Sequence, residues 1–293
     1  MTPLRQRMVE DMQIRTLAPA TQRAYVEYVA QFARHFGRSP ADVGPEEIRA
    51  FQVHLLHERH VAPRTLIVAV AALRFLYTVT LKSAWPVDVV VPAPTVIRRL
   101  PVVLSPAEVA HVLACAPGLK HRTILTTCYA AGLRIAEAVR LTVSALDRQR
   151  MMLRVEQGTG RRDRSVMLSP RLLALLREWW RVGRPRLWLF PGPRPDHPIT
   201  TKAVNRACRR AHRRSGLTKP VTPHALRHAF AVHLLEAGTD VRTLQLLLGH
   251  RNLETTATYL RIATTKVCAT PSPLDLLPRP LAASPDLPPP PAY

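Results

Sequence analysis

Proline recurs in this chain directly behind a residue suited to cap a helix: Gly44-Pro45, Ser105-Pro106, Ser169-Pro170 and Thr222-Pro223. Proline has no N–H and a locked φ, so a helix accepts it in the first turn and rejects it from the interior. Each pair therefore predicts a helix start. In Ser105-Pro106-Ala107-Glu108 the glutamate adds a capping box. Apolar residues follow with helical spacing. After the cap-like Thr21 come Tyr25, Tyr28, Val29, Phe32 and Phe36; after Pro45 come Ile48, Phe51 and Leu55; after Pro63 come Leu66, Val70, Leu73 and Leu76 or Tyr77. A weaker set, Leu4, Met8 and Met12, predicts a helix before them. Aromatic residues at this spacing read as core rather than as ligand contacts. The pattern predicts a mainly α fold. One stretch departs from it: in residues 151–168 two short apolar runs flank a basic, glycine-containing turn, which predicts a β-hairpin.

The helical pattern breaks between residues 86 and 101, where Pro86, Pro92, Pro94 and Pro101 surround Arg98 and Arg99. This predicts an extended linker. Within it, Val87–Val91 is a candidate strand, though the flanking prolines argue against a central one. The expected organisation is a helical domain over residues 1–85, a linker over 86–101, a second α-rich domain over 102–268, and a Pro-rich, disordered tail over 269–293. Helices resume after Ser169-Pro170 and run to about residue 262, with breaks near Pro191, Gly216, Gly238 and Gly249. Two domains suit a chain of 293 residues, 47% of them hydrophobic.

Lys and Arg number 42 against 20 Asp and Glu, a formal charge of +22. Self-repulsion on that scale calls for a polyanionic partner, nucleic acid before an anionic membrane surface. Arg206, Arg209, Arg210, Arg213 and Arg214 fall on one predicted helix, either as a solvated face or as DNA-backbone contacts, and the net charge favours the second. The four cysteines show no C-x-x-C spacing and read as reduced thiols, with no metal or cofactor expected. The N-terminal residues lack the apolar region of a signal peptide, and no apolar run approaches the ~18 residues of a membrane span. A soluble cytoplasmic protein is expected.

Four segments of the second domain carry chemistry. Gly132 before Arg134 lets the backbone turn and present the arginine at a helix start; the bland alternative is a surface ion pair with Glu137, three residues on. Thr222-Pro223 caps a helix whose first turns hold His224 and Arg227 on one face, where free N–H groups and the helix dipole favour an anion such as phosphate. A leucine-rich helix ends at Gly249 and is followed by His250, which alone reads as a histidine satisfying helix carbonyls. Tyr259, nine residues later, alone reads as a half-buried tyrosine.

Taken together, Arg134, His224, Arg227, His250 and Tyr259 resemble the tyrosine recombinase (phage integrase) family in order and spacing, as do the strings AVHLLEAGTD and LLGH. The resemblance covers nearly the whole chain and is greatest to recombinases of insertion elements and integrons. It implies a helical, SAM-like core-binding domain followed by an α-rich catalytic domain with a small β-hairpin or sheet. It also implies a C-shaped clamp on double-stranded DNA, a homo-tetramer when two sites are joined, and strand cleavage through a 3′-phosphotyrosine. In those roles Arg134 and Arg227 clamp phosphate oxygens without a metal, His224 accepts the Tyr259 proton, and His250 donates to a phosphate oxygen. The family's hairpin usually reads G-K-G-x-K-x-R, with its first lysine as general acid. Here Gly158-Thr159-Gly160-Arg161-Arg162-Asp163-Arg164 puts Thr159 in the lysine's place. Arg161 and Arg162 supply positive charge for DNA, but arginine's pKa is too high for efficient proton donation. A catalytically impaired relative that only binds DNA is therefore the alternative. A metal-dependent nuclease would need a carboxylate cluster, and the second half offers only scattered acids such as Glu236, Asp240 and Glu254.

Overall fold

The computed structural model describes residues 2–92, 102–156, 163–260 and 262. Two compact units emerge, Met1–Arg99 and Leu100–Tyr293. Each has its own core.

In the first unit, α1 (Pro3–Ile14) is capped by Thr2 and buries Met8 and Met12, one turn apart. Helix α2 (Pro19–Phe36) begins two residues before the expected Thr21, because Pro19 itself occupies the first helical position. It ends at Gly37, whose φ of 65° closes the helix in the left-handed region. Helix α3 (Pro45–His57) starts as the Gly44-Pro45 pair predicts, and the Glu47 carboxylate accepts the Gly44 N–H at 3.0 Å. Helix α4 (Pro63–Phe75) continues as a π-helical turn over Leu76–Thr80.

The faces named by periodicity form the core. Phe32 packs edge-on against Phe51 with ring centroids 5.1 Å apart, and Leu66, Val70, Leu73 and Tyr77 close around them. The buried Tyr77 hydroxyl donates to the Pro40 carbonyl at 2.8 Å. Pro63–Thr80 is 18 residues long and apolar enough, by length and composition, to cross a membrane. That departs from the expectation that no such run exists. Arg64 and Arg74 interrupt the apolar run, and the Leu66, Val70 and Leu73 face fills the first core. Val87–Val90, the candidate strand, is instead a short helix, α5. Val87 and Val91 are buried in the first core, and Arg74 donates to the Val91 carbonyl at 2.7 Å.

The second unit opens with α6 (Pro106–Ala114). Its capping box is formed: Ser105 N–H donates to Glu108 at 2.7 Å, and Glu108 N–H to Ser105 Oγ at 3.2 Å. Helices α7 (Gly118–Ala130) and α11 (Pro223–Glu236) pack against each other and carry many of the buried residues. The expected hairpin is present as β2 (Met152–Val155) and β3 (Arg164–Met167), antiparallel with Leu153 opposite Val166. A two-residue strand, β1 (Leu146–Asp147), adds to β2 and makes a three-stranded sheet in the order β1-β2-β3. The turn with Thr159, Arg161 and Arg162 lies outside the described residues. Helix α9 (Pro170–Gly183) buries Leu172, Leu173, Leu176 and Trp179. An irregular stretch then leads to α10 (Thr201–Ser215), and α12 (Val241–Leu248), which ends at Gly249, and α13 (Leu253–Ala257) complete the described fold.

Phe32→Ala removes the aromatic centre of the first core. A loss of ~3–5 kcal/mol is expected, read as an earlier unfolding transition in urea followed by circular dichroism.

Candidate active site

The site begins where α7 ends. Gly132 has a φ of 59°, and a Cβ there would lie 2.4 Å from the Phe230 ring, so the turn accepts only glycine. That turn places Arg134 at the N-cap of α8 (Ile135–Ala138). The Glu137 carboxylate accepts Arg134 N–H at 2.9 Å and Arg134 Nη1 at 2.8 Å.

The predicted surface pair of Arg134 and Glu137 is thus real, but it is not at the surface. Glu137 is buried, and it also accepts both Nη groups of Arg164, at 3.1 and 2.8 Å. Arg227 Nη1 lies 3.7 Å away. Burial pushes the Glu137 carboxyl up, but the hydrogen bonds and charges of Arg164 and Arg134 outweigh it and hold the pKa at about 2. Three guanidiniums around one carboxylate leave that group net positive.

Arg227 is 1% exposed. Thr222 caps α11 as predicted, its hydroxyl accepting Ala225 N–H at 3.0 Å, and Arg227 follows in the second turn. Its guanidinium donates to the carbonyls of Gly132 at 2.6 Å and Leu248 at 2.7 Å. Burial, then the charge of Arg134, lower its pKa to about 10, so it stays charged at neutral pH. Arg227 Nη2 also lies 3.1 Å from His250 Nε2. Arginine only donates, so Nε2 accepts, and His250 Nδ1 donates to Thr256 Oγ1 at 2.9 Å. Burial, with Arg227, Arg134 and Arg164, lowers the His250 pKa to about 4. In this state His250 is neutral and its Nε2 is an acceptor. That differs from the expected donor to phosphate, because Arg227 already fills the position.

Tyr259 follows α13 and is 4% exposed, deeper than the half-buried tyrosine the sequence suggested. The His250 ring stacks on it, centroids 6.4 Å apart. Burial raises the phenol's pKa while Arg227 and Arg134 oppose that rise. Its hydroxyl lies 2.8 Å from Nδ1 of His228, not of His224. His224, one turn earlier on α11, is exposed, and its ring meets that of His228 edge-on at 4.2 Å. Burial of its inner side, with Arg227 and Arg134, lowers the His224 pKa.

The structure therefore brings Arg134, His224, Arg227, His250 and Tyr259 into one cluster. Arg209, Arg210 and Arg213 lie elsewhere, on the exposed face of α10 opposite buried Val204, Ala207 and Ala211. Sequence reasoning passed over Arg164, His228 and the depth of Glu137. For Arg164 a signal existed: strand alternation puts it on the same face as the buried Val166.

The fold is that of a tyrosine-type site-specific recombinase. Residues 103–266 match the model of the phage integrase family, and residues 4–87 match the phage integrase N-terminal SAM-like domain. The chain belongs to the phage integrase family. It is 60% identical over 285 residues to the integrase/recombinase y4qK of Sinorhizobium fredii, covering 97% of this chain and 92% of that one. It is 31% identical to tyrosine recombinase XerD of Lacticaseibacillus casei, covering 85% and 90%. Its fold is also that of a lambda integrase fragment solved as a dimer bound to a COC′ core site, with TM-score 0.72, 19% identity, and 87% and 93% covered.

The site's histidines set a pH dependence. His228 and His250 have pKa values of about 4 in the folded chain, against ~6.5 unfolded. The unfolded chain binds more protons between those values, so folding stability falls as pH drops from ~6.5 toward ~4. Urea midpoints measured across that range should decline, and His228→Asn with His250→Asn should flatten the decline. Equal slopes for both proteins would show that these two rings do not carry it.

Proposed function

We propose that Tyr259 is the nucleophile with which this recombinase cuts DNA. Its hydroxyl attacks the scissile phosphate to give a 3′-phosphotyrosine and a free 5′ hydroxyl. The observation that carries the reading is a buried phenol held beside a net-positive cluster of Arg134, Arg164, Arg227 and Glu137. A pentavalent phosphate transition state gains negative charge, and fixed guanidiniums stabilise it without rearranging. Arg134, with 30% of its side chain exposed, is the accessible half of the clamp, and Arg227 is the buried half. His224, at the start of α11, offers its ring and its own backbone N–H to a phosphate oxygen, with the positive end of the helix dipole behind them. His250 donates to a phosphate oxygen only after Nε2 gains a hydrogen, through protonation or through a tautomer change in which Nδ1 accepts from the Thr256 hydroxyl.

Double-stranded DNA is the proposed substrate, with Arg209, Arg210 and Arg213 of α10, and Arg161 and Arg162 of the hairpin turn, on its backbone. A homo-tetramer is the proposed working state when two sites are joined. A related lambda integrase has been solved as a tetramer on a Holliday junction, which supports that reading. A cytoplasmic location accords with the free thiols Cys115, Cys128 and Cys208.

The test is a nicked DNA substrate that traps the covalent intermediate. The natural protein should yield a protein–DNA adduct on a denaturing gel. Tyr259→Phe should bind DNA and yield none; an adduct from that variant would point to another nucleophile. Arg134→Ala should bind DNA and lose the adduct through lost charge stabilisation.

The general acid is tested separately. If Thr159 leaves the leaving oxygen without a proton donor, a substrate with sulfur in the bridging 5′ position should be cleaved much faster than the all-oxygen one, because a thiolate leaves unprotonated. Thr159→Lys should accelerate the oxygen substrate by up to ~10²–10⁴-fold and leave the sulfur one almost unchanged. Equal, fast cleavage of both by the natural protein would mean that another group already donates the proton.

A further inference from the structure

The Tyr259 hydroxyl has to lose its proton as it attacks, and the group in contact with it is His228. We infer that His228, rather than His224, orients the Tyr259 hydroxyl and takes its proton during cleavage. The inference rests on Tyr259 being the nucleophile.

The geometry constrains the chemistry. Oη lies 2.8 Å from His228 Nδ1, within the range of a good hydrogen bond. A neutral phenol has one proton to give, and neutral imidazole has one nitrogen that accepts. His228 is neutral near pH 7, because burial, then His224 and Arg227, lower its pKa to about 4. Nδ1 is thus the acceptor and Nε2 carries the hydrogen. The other groups facing this pair are Arg134, whose charge reaches Tyr259, and His250, whose ring stacks on it.

In the free protein the proton stays on the phenol. His228 is a weak base there, and burial holds the phenol's pKa above its ordinary value. A scissile phosphate seated between Arg134 and Arg227 changes both terms. Its negative charge offsets the Arg227 charge that disfavours a positive His228, and it favours an imidazolium beside it. As the Oη–P bond forms, the O–H electrons remain on oxygen and the proton passes to Nδ1. The P–O5′ bond breaks with its electrons on the leaving oxygen, which takes a proton from solvent. Rejoining runs the same path backwards, and His228 then returns the proton to the departing Tyr259. Proton acceptance is in this way tied to the presence of DNA, and the unbound protein keeps an unreactive phenol.

The experiment measures single-turnover adduct formation on nicked DNA as a function of pH, for the full chain and three variants. His228→Asn keeps a hydrogen-bond acceptor near the Nδ1 position but cannot carry the proton. His228→Ala removes both, and His224→Asn alters the neighbouring ring. DNA binding by gel shift and thermal unfolding check that each variant is folded. The natural protein should show a rate nearly flat around neutral pH. His228→Asn should bind DNA normally, form adduct ~10²-fold or more slowly, and show a rate rising in proportion to hydroxide. Added imidazole should restore part of the rate to His228→Ala and not to His228→Asn. His224→Asn should keep the flat profile.

If His228→Asn cleaves at the natural rate with an unchanged profile, or if His224→Asn alone acquires the hydroxide dependence, the inference is overturned while Tyr259 stands. Should the adduct survive in Tyr259→Phe, or never form in the natural protein despite DNA binding, the nucleophile itself is wrong and this role goes with it. A second readout does not depend on turnover: ¹⁵N NMR of labelled histidine should show His228 as the Nε2–H tautomer in the free protein. An Nδ1–H tautomer would leave the phenol no acceptor and would also overturn the inference.

Discussion

The Glu137 carboxylate is the fixed point of the second unit. It is buried, yet it stays ionised because Arg164 and Arg134 surround it. Such a charge is tolerated only when its hydrogen-bonding capacity is filled, and here two Arg134 donors and two Arg164 donors fill it. Each partner comes from a different element: Arg134 from the start of α8, Arg164 from β3, and Arg227 of α11 within 3.7 Å. The carboxylate therefore registers sheet, turn and helix against one another. It also holds like charges together that would otherwise repel, and that is what a site for an anionic transition state requires.

Much of the fold could be read in the sequence because its signals are local. Proline behind a capping residue marks α3, α6, α9 and α11 at the residues where they begin. The apolar stripes identify the buried faces of α2, α3 and α4. The failures are also local in origin. At α2, Thr21 drew the boundary away from Pro19, since a hydroxyl residue inside the first turn looks like a cap. Val87–Val91 has β-branched composition, but Pro86 ahead of it and the first core beneath it settle on a helical turn. β1 has two residues, too short for any periodicity to show.

The site was legible to a lesser degree. Recognising Arg134, His224, Arg227, His250 and Tyr259 required the family pattern, because each alone had a bland explanation. What no spacing rule conveys is which histidine the phenol meets. His224 and His228 are one turn apart on α11 and face nearly the same way, so the choice depends on where the chain after α13 sets Tyr259 down. Glu137 was visible as a partner for Arg134, but its burial depends on Arg164 arriving from β3, 27 residues further along the chain.

The two glycines of the site explain why Arg227 is harder to replace than its charge alone suggests. Gly132 lies just past α7 and Gly249 just past α12, and both have positive φ. Helix ends leave carbonyls without intrahelical partners, and they carry the negative end of the dipole. The turns aim one of these, Leu248 O, and the Gly132 carbonyl just past α7 at one guanidinium, which bridges them at 2.7 and 2.6 Å. Arg227 therefore joins the ends of two helices as well as holding positive charge beside Tyr259. An alanine there would strand the buried Gly132 carbonyl, at ~1–3 kcal/mol, and leave Leu248 O with only the longer Arg134 Nη1 contact at 3.5 Å, on top of the lost charge. A lysine would keep the charge, but a single ammonium lacks the planar fork that spans both carbonyls and His250 together. Structural and chemical consequences are inseparable at this position. At Arg134, partly exposed, a substitution keeps the backbone N–H to Glu137 but removes the Nη1 donor, so its effect on adduct formation has to be read beside its effect on stability.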